Sequence, residues 1–190
     1  MRKIIAFGAS NSQHSINKQL ATYAANELEG VAHEIIDLND FPLPLYGIDL
    51  QKATGIPENA VAFSKLIEAS DGLIISLAEH NSNYTVAFKN LTDWVSRLEG
   101  PVWKGKPVFL ISTSNGKRGG MNVMEIARKY MPFAGARIAA HFSLPEFKIH
   151  FSPEAGIINP ELREAFLQQL TQFKEVLLTE STEIEATRIG

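Results

Sequence analysis

Two uninterrupted apolar runs, Gly72-Leu73-Ile74-Ile75-Ser76-Leu77 and Pro107 to Thr113, narrow the possible folds most sharply. Each has strand length and carries branched side chains at successive positions, without the polar alternation of a half-solvated strand. Such strands are covered on both faces, as in parallel sheets flanked by helices. The chain opens with a third run of this kind, Lys3-Ile4-Ile5-Ala6-Phe7. All three lead into a polar, small-residue turn and then into apolar residues at helical spacing, the order of a crossover connection. A second strand is expected over Ala32 to Asp37 and a fifth over Ala136 to Phe142. Helices are expected over residues 15 to 29, Glu58 to Ala69, Val86 to Leu98, Met121 to Met131 and onward from Pro160 through Leu177. The stretches Leu38 to Pro57 and Pro145 to Asn159 read as irregular. The fold class is therefore α/β: a three-layer sandwich with a five-stranded parallel sheet, order 2-1-3-4-5, and helices on both faces. Residues 1–180 are expected to form a single domain, with a polar tail over 181–190.

The 190 residues carry a formal charge of −3 and no cysteine. That balance lacks the basic footprint of a nucleic-acid binder, and no apolar run approaches the ~20 residues a membrane-spanning helix needs. The missing thiols exclude disulfides and thiolate chemistry. The expectation is a cytoplasmic protein that engages neither nucleic acid nor membrane.

In a sheet of this order the turns after strands one, three and four share one rim, where ligands of open α/β sheets bind. The first turn, Ala9 to Asn17, is rich in hydroxyls and leads into a helix. Ser15 is a suitable cap, and the helix N-terminus offers free N–H groups and a positive dipole end. Neither G-x-G-x-x-G nor G-K-[ST] is present, so a dinucleotide fingerprint and a P-loop are both excluded. The turn suits the phosphate monoester of a mononucleotide. The second turn, Ala78 to Thr85, and the third, Thr113 to Gly120, supply amides and small polar side chains able to edge a planar ring. Simpler roles are open to the same residues: Ser15 and Asn17 as caps, Lys89, Asp93 and Arg97 as a solvated row, Trp94 as core or interface. Tyr46, on the long loop, suits a lid or a contact between subunits.

Three runs carry a resemblance: Ala9-Ser10-Asn11-Ser12-Gln13-His14-Ser15-Ile16-Asn17; Ala78-Glu79-His80-Asn81 with Phe88-Lys89-Asn90-Leu91-Thr92-Asp93-Trp94; and Ser112-Thr113-Ser114-Asn115-Gly116-Lys117-Arg118-Gly119-Gly120. In order and each at a strand end, they resemble the motifs of the NADPH-dependent FMN reductase family, of flavodoxin-like fold. Ser12 stands where that family has Arg, Ala78 where it has Pro, and His80 where it has Tyr. The resemblance implies FMN phosphate at Ser10, Ser12, Ser15, Ile16 and Asn17. It implies ring contacts from Glu79, His80 and Asn81, and from Ser112, Thr113, Ser114, Asn115 and Gly116. It further implies NADPH or NADH as co-substrate and a small acceptor such as a quinone, flavin, azo or nitro compound. The implied assembly is a homodimer or dimer of dimers. No side chain is expected to act as a catalytic acid or base, and none as a metal ligand. The alternative is a non-catalytic flavin-binding protein, or an interaction protein of the same fold without cofactor.

Overall fold

A computed structural model describes residues 1–189, with side chains described through residue 179. Of the polar tail expected over 181–190, the backbone through Ile189 continues the last helix, while its side chains lie outside those described. Five strands, β1 (Lys3–Ala9), β2 (Ala32–Ile35), β3 (Gly72–Leu77), β4 (Pro107–Thr113) and β5 (Arg137–Leu144), form one parallel sheet in the order β2-β1-β3-β4-β5. The order expected from the sequence is the order observed.

The double-sided apolar pattern has a direct structural cause. Successive side chains of a strand point to opposite faces, and here both faces are covered. Ile4 and Ala6 of β1, Ile74 of β3, and Phe109 and Ile111 of β4 pack under helices α1 (Ile16–Asn26) and α6 (Pro160–Ile189). Ile5 and Phe7, Leu73 and Ile75, and Val108 and Leu110 meet the opposite layer of α3 (Glu58–Ala69), α4 (Val86–Val95) and α5 (Met121–Tyr130). Within that layer Phe88 stacks on Trp103, and Phe7 sits edge-on to Phe63.

Three stretches expected to be irregular or plain turns carry structure. Residues 38–57 hold a 3-10 turn, Leu38–Asp40, and a seven-residue helix, α2 (Ile48–Thr54). No residue of α2 is buried, so it has no apolar stripe for periodicity to reveal. Residues 79–84 form a two-residue-loop hairpin, Glu79–His80 against Asn83–Tyr84. Its corner residues Asn81 and Ser82 both have positive φ, 50° and 63°, the geometry that matches strand twist in such hairpins. Residues 145–159 contain a one-turn helix, Phe147–His150, and a small hairpin, Phe151–Ser152 against Gly156–Ile157. The last strand reaches Leu144, two residues beyond the expected end, because Ser143 and Leu144 still pair with Ser112 and Thr113.

Candidate functional site

The first turn is held tightly against its own strand. An added Cβ on Gly8 would lie 2.5 Å from the backbone nitrogen of Lys18, so only glycine lets the start of α1 approach β1 this closely. Ser15 caps the helix as expected, its Oγ accepting from the Lys18 N–H at 3.1 Å. Helix geometry leaves the N–H groups of Ile16 and Asn17 without intrahelical acceptors. Ser10 Oγ accepts from the Ser12 N–H at 3.1 Å, which shapes the turn, while Ser12 itself is exposed. The Lys18 ammonium points elsewhere, pairing with Asp37 beyond β2. Burial raises the Asp37 pKa, but the Lys18 bond and the Asn39 N–H outweigh it and hold the carboxyl below its ordinary value. The turn's anion-binding capacity is therefore that of amides, hydroxyls and the helix dipole.

Asn17 occupies a different place from the one its motif position implies. It is 3% exposed, and its amide is engaged with the sheet. Its Oδ1 accepts from Ser76 Oγ at 2.8 Å and from the Thr113 N–H at 3.1 Å, and its Nδ2 donates to the Thr113 carbonyl at 3.2 Å. One side chain thus ties the phosphate turn to the ends of β3 and β4. What Asn17 can offer a phosphate is its backbone N–H.

The second turn is braced in the same manner. The Glu79 carboxylate accepts from the Val123 N–H at 3.1 Å and from Asn122 Nδ2 at 3.4 Å, and Asn122 also donates to Ser82 Oγ. Gly120, at the start of α5, has no side chain with which to cap it. Glu79 supplies the cap from the neighbouring loop, a negative group at a helix N-terminus. His80 and Asn81 remain exposed on the rim.

In the third turn the motif divides sharply. Ser112 and Thr113 are buried at the end of β4, with Ser112 Oγ donating to the Gly119 carbonyl and Thr113 Oγ1 to the Leu144 carbonyl, each at 2.8 Å. Ser114 is half-buried, while Asn115 and Gly116 are exposed. The groups brought together at the surface are thus Ser12, the first amides of α1, His80, Asn81 and Ser114 to Gly116. Ser15, Asn17, Glu79, Ser112 and Thr113 form the framework behind them.

A cleft of 490 Å³ adjoins this rim, walled by Asn11, His80, Thr85 to Ala87 and the loop around Leu38 to Leu45. Of this wall, sequence reasoning named His80 and the turn ending at Thr85, and it missed Val86, Ala87 and the loop side chains from Leu38 to Leu45. Thr85 joins it to the first turn, its Oγ1 donating to the Ala9 carbonyl at 2.8 Å while capping Phe88. The loop is pinned rather than free: Asn90 Oδ1 accepts from the Tyr46 N–H at 2.8 Å, and Trp94 Nε1 donates to the Pro44 carbonyl at 2.7 Å. Tyr46 rests edge-on against Trp94 with Arg97 over its ring. The Asn-x-x-x-Trp spacing places both anchors on one helix face.

The family model described as NADPH-dependent FMN reductase matches residues 2–148. The chain belongs to that family. A quinone reductase of Escherichia coli strain K12 is 29% identical over 163 residues, covering 80% of this chain and 85% of the relative. A 2-hydroxy-1,4-benzoquinone reductase of a Burkholderia species is 38% identical over 119 residues, covering 62% and 63%. Among solved structures, the flavoenzyme FerB, an NAD(P)H:(acceptor) oxidoreductase from Paracoccus denitrificans, superposes with a TM-score of 0.74 at 23% identity, covering 93% of this chain and 97% of the other. The fold is flavodoxin-like, and the protein is an FMN-dependent oxidoreductase that uses NAD(P)H.

FMN suits the residues present. The hydroxyl and amide donors of the first turn match a phosphate monoester even with the uncharged Ser12. The bare backbone at Gly116 allows a flat ring to approach closely. Phosphate and ring would be held by separate turns that Asn17 and Glu79 lock into one frame.

Proposed function

We propose that the protein passes reducing equivalents from NAD(P)H through bound FMN to a small quinone-type acceptor. The single observation that carries this reading is the convergence of the α1 N-terminus and the exposed segments 80–81 and 114–116 at the C-terminal rim of one sheet. FMN would supply two-electron chemistry between the donor and the acceptor. The chain's own part is to bind and orient. Ser10, Ser12 and the amides of Ile16 and Asn17 would hold the phosphate, and Ser114 to Gly116 with His80 and Asn81 would edge the ring. The braces behind them keep these contacts from relaxing when the ligand leaves. Donor and acceptor would use the bound flavin in turn, and no side chain of the rim is required to transfer a proton.

The quinone class is favoured by the names of the relatives and by the apolar part of the adjoining cleft, Leu38, Phe41, Leu43 and Leu45. We read residues 1–180 as one FMN-binding domain acting in the cytoplasm as a homodimer or dimer of dimers. Support for assembly comes from Leu45 and Val86, 73% and 70% exposed beside the pinned loop, an apolar pair that water leaves unfavourably solvated.

The test is direct. The purified protein should be yellow or become so on titration with FMN. Anaerobic NADPH or NADH should bleach the flavin bands, and a benzoquinone should restore them. A protein that takes up FMN but is bleached by neither nucleotide is not a reductase, and one that takes up no flavin lacks the site altogether.

A further inference from the structure

We propose that Asn90 is a positioning residue for the electron acceptor: by clamping the loop that walls the cleft beside the rim, it sets how well the protein takes a flat aromatic acceptor such as a benzoquinone. The proposal rests on the reading of that cleft as the acceptor's place next to the flavin.

Side chains, rather than backbone pairing, hold this loop in place. Among the described residues, no backbone group of Pro42 to Tyr46 bonds to another backbone group. Prolines at 42 and 44 lack an N–H, so the segment has few donors with which to pair. Two helices supply the missing partners. Asn59 Nδ2, at the start of α3, donates to the Pro42 carbonyl at 2.9 Å. Asn90 Nδ2, on α4, donates to the Pro44 carbonyl at 3.0 Å and reaches the Leu43 carbonyl at 3.5 Å. Its Oδ1 accepts from the Tyr46 N–H at 2.8 Å. Trp94, one turn further along α4, donates from its indole to the same Pro44 carbonyl. One amide thus clamps both ends of the stretch Leu43 to Tyr46.

The clamped stretch carries an apolar side of the 490 Å³ cleft. Leu43 lines it together with Phe41, whose ring stands edge-on to Phe63 at 5.5 Å between centroids. Leu38 and Leu91, both buried, add to the apolar lining. Asn11 and His80 bring polar groups from the first and second turns to the same cleft. Apolar walls with a few polar groups at the edge suit a flat ring carrying oxygen at its ends. Leu43 presses on such a ring only while its backbone is held, because a wall that must be ordered on binding loses affinity to its own immobilisation. Asn90 imposes that order in advance.

The test compares the FMN-loaded wild type with Asn90→Ala, using p-benzoquinone and ferricyanide as acceptors at saturating NAD(P)H. Ferricyanide is a hydrophilic anion with no apolar ring to seat in the cleft. The hydride of one coenzyme reduces either two ferricyanide ions, releasing a proton, or one benzoquinone, which takes up a further proton from water. In Asn90→Ala the kcat/KM for benzoquinone should fall about tenfold, through KM, as expected when the wall must be ordered on binding. The kcat/KM for ferricyanide and the affinity for FMN should each change by less than about twofold, since neither depends on ordering this wall. Amide exchange at Leu43, Leu45 and Tyr46 should quicken in the same FMN-loaded variant.

Equal losses for both acceptors, or weakened FMN, would show that Asn90 supports the flavin site or the fold. An unchanged benzoquinone KM would show that the acceptor does not use this wall. Either result overturns the proposal. Leu43→Ala leaves every clamp in place and shortens the wall alone, so it should show the same benzoquinone-selective loss even where Asn90→Ala fails to fold. Unchanged selectivity in that variant overturns the proposal as well. A wild type whose flavin is bleached by neither coenzyme would instead refute the reductase reading beneath it.

Discussion

Replacing Asn17 with alanine separates its two roles, brace and phosphate ligand, most cleanly. The side chain serves three buried groups: the Ser76 hydroxyl, the Thr113 N–H and the Thr113 carbonyl. Ser76 is 0% and Thr113 is 1% exposed, so bulk water does not reach them in the intact fold. An orphaned buried donor costs about 1–3 kcal/mol, and a carbonyl left with one fewer partner costs less. Two donors, partly repaired by a water entering the space vacated, sum to about 3 kcal/mol. For a chain of this length each kcal/mol lowers Tm by about 2–4 °C, so Asn17→Ala should melt about 6–12 °C below the wild type. The assay is thermal unfolding by far-UV circular dichroism on protein stripped of FMN, so that ligand linkage contributes nothing. Asn17→Asp keeps the two accepted bonds but sets a buried carboxylate oxygen against the Thr113 carbonyl, so at neutral pH it should lose at least as much stability as the alanine variant. Its carboxylate, at the first turn of α1, should weaken FMN more than it weakens riboflavin, which lacks the phosphate. A melting shift below about 2 °C in Asn17→Ala, together with a large loss of FMN affinity, would refute the brace and return the side chain to the phosphate.

Glu79→Ala removes the only side-chain acceptor described for the Val123 N–H at the α5 N-terminus and should cost about 1 kcal/mol in urea unfolding; an unchanged midpoint would show that the cap contributes nothing. Tyr84 has a buried hydroxyl without a hydrogen-bond partner among the described residues, and burial raises its pKa. Tyr84→Phe should therefore leave stability unchanged or raise it by up to about 1 kcal/mol, whereas a clear fall in Tm would reveal a bond to that hydroxyl. Gly8→Ala forces a Cβ to 2.5 Å from Lys18 N and should weaken FMN by displacing the first turn of α1, read by flavin fluorescence quenching; unaltered affinity would mean that the turn tolerates the shift. Burial pushes the Asp71 carboxyl up, but the Lys3 N–H and the Arg2 guanidinium outweigh it and hold the pKa below 3.8. Its stabilising effect is thus complete above pH 3.8 and fades as the pH falls through the lower folded value, so Asp71→Asn should flatten the acid limb of stability against pH. An identical limb in the variant would contradict that assignment.

The sheet is legible in the sequence because each strand carries the mark of its own surroundings. Gly72 to Leu77 and Pro107 to Thr113 are apolar on both faces, and only a strand sandwiched between helix layers satisfies both. Ser15 is similarly legible as punctuation, since a helix cap acts within a few residues along the chain. The sequence does not settle which polar side chains face inward. Ser112 and Ser114 stand two residues apart in one motif, yet the first is sealed beneath Gly119 and Ser143 while the second lies at the rim. Asn17 and Glu79 look like ligands from their motif positions, but their partners lie 96 and 44 residues away, on other strands and helices. The hairpin at Glu79 to Tyr84 and the exposed helix α2 are hidden for a related reason, having too few buried residues to leave a periodic trace. Local chemistry and burial period are written along the chain. Whether a hydroxyl, amide or carboxylate supports the site or belongs to it depends on what the crossovers bring against it, and only the tertiary structure decides that.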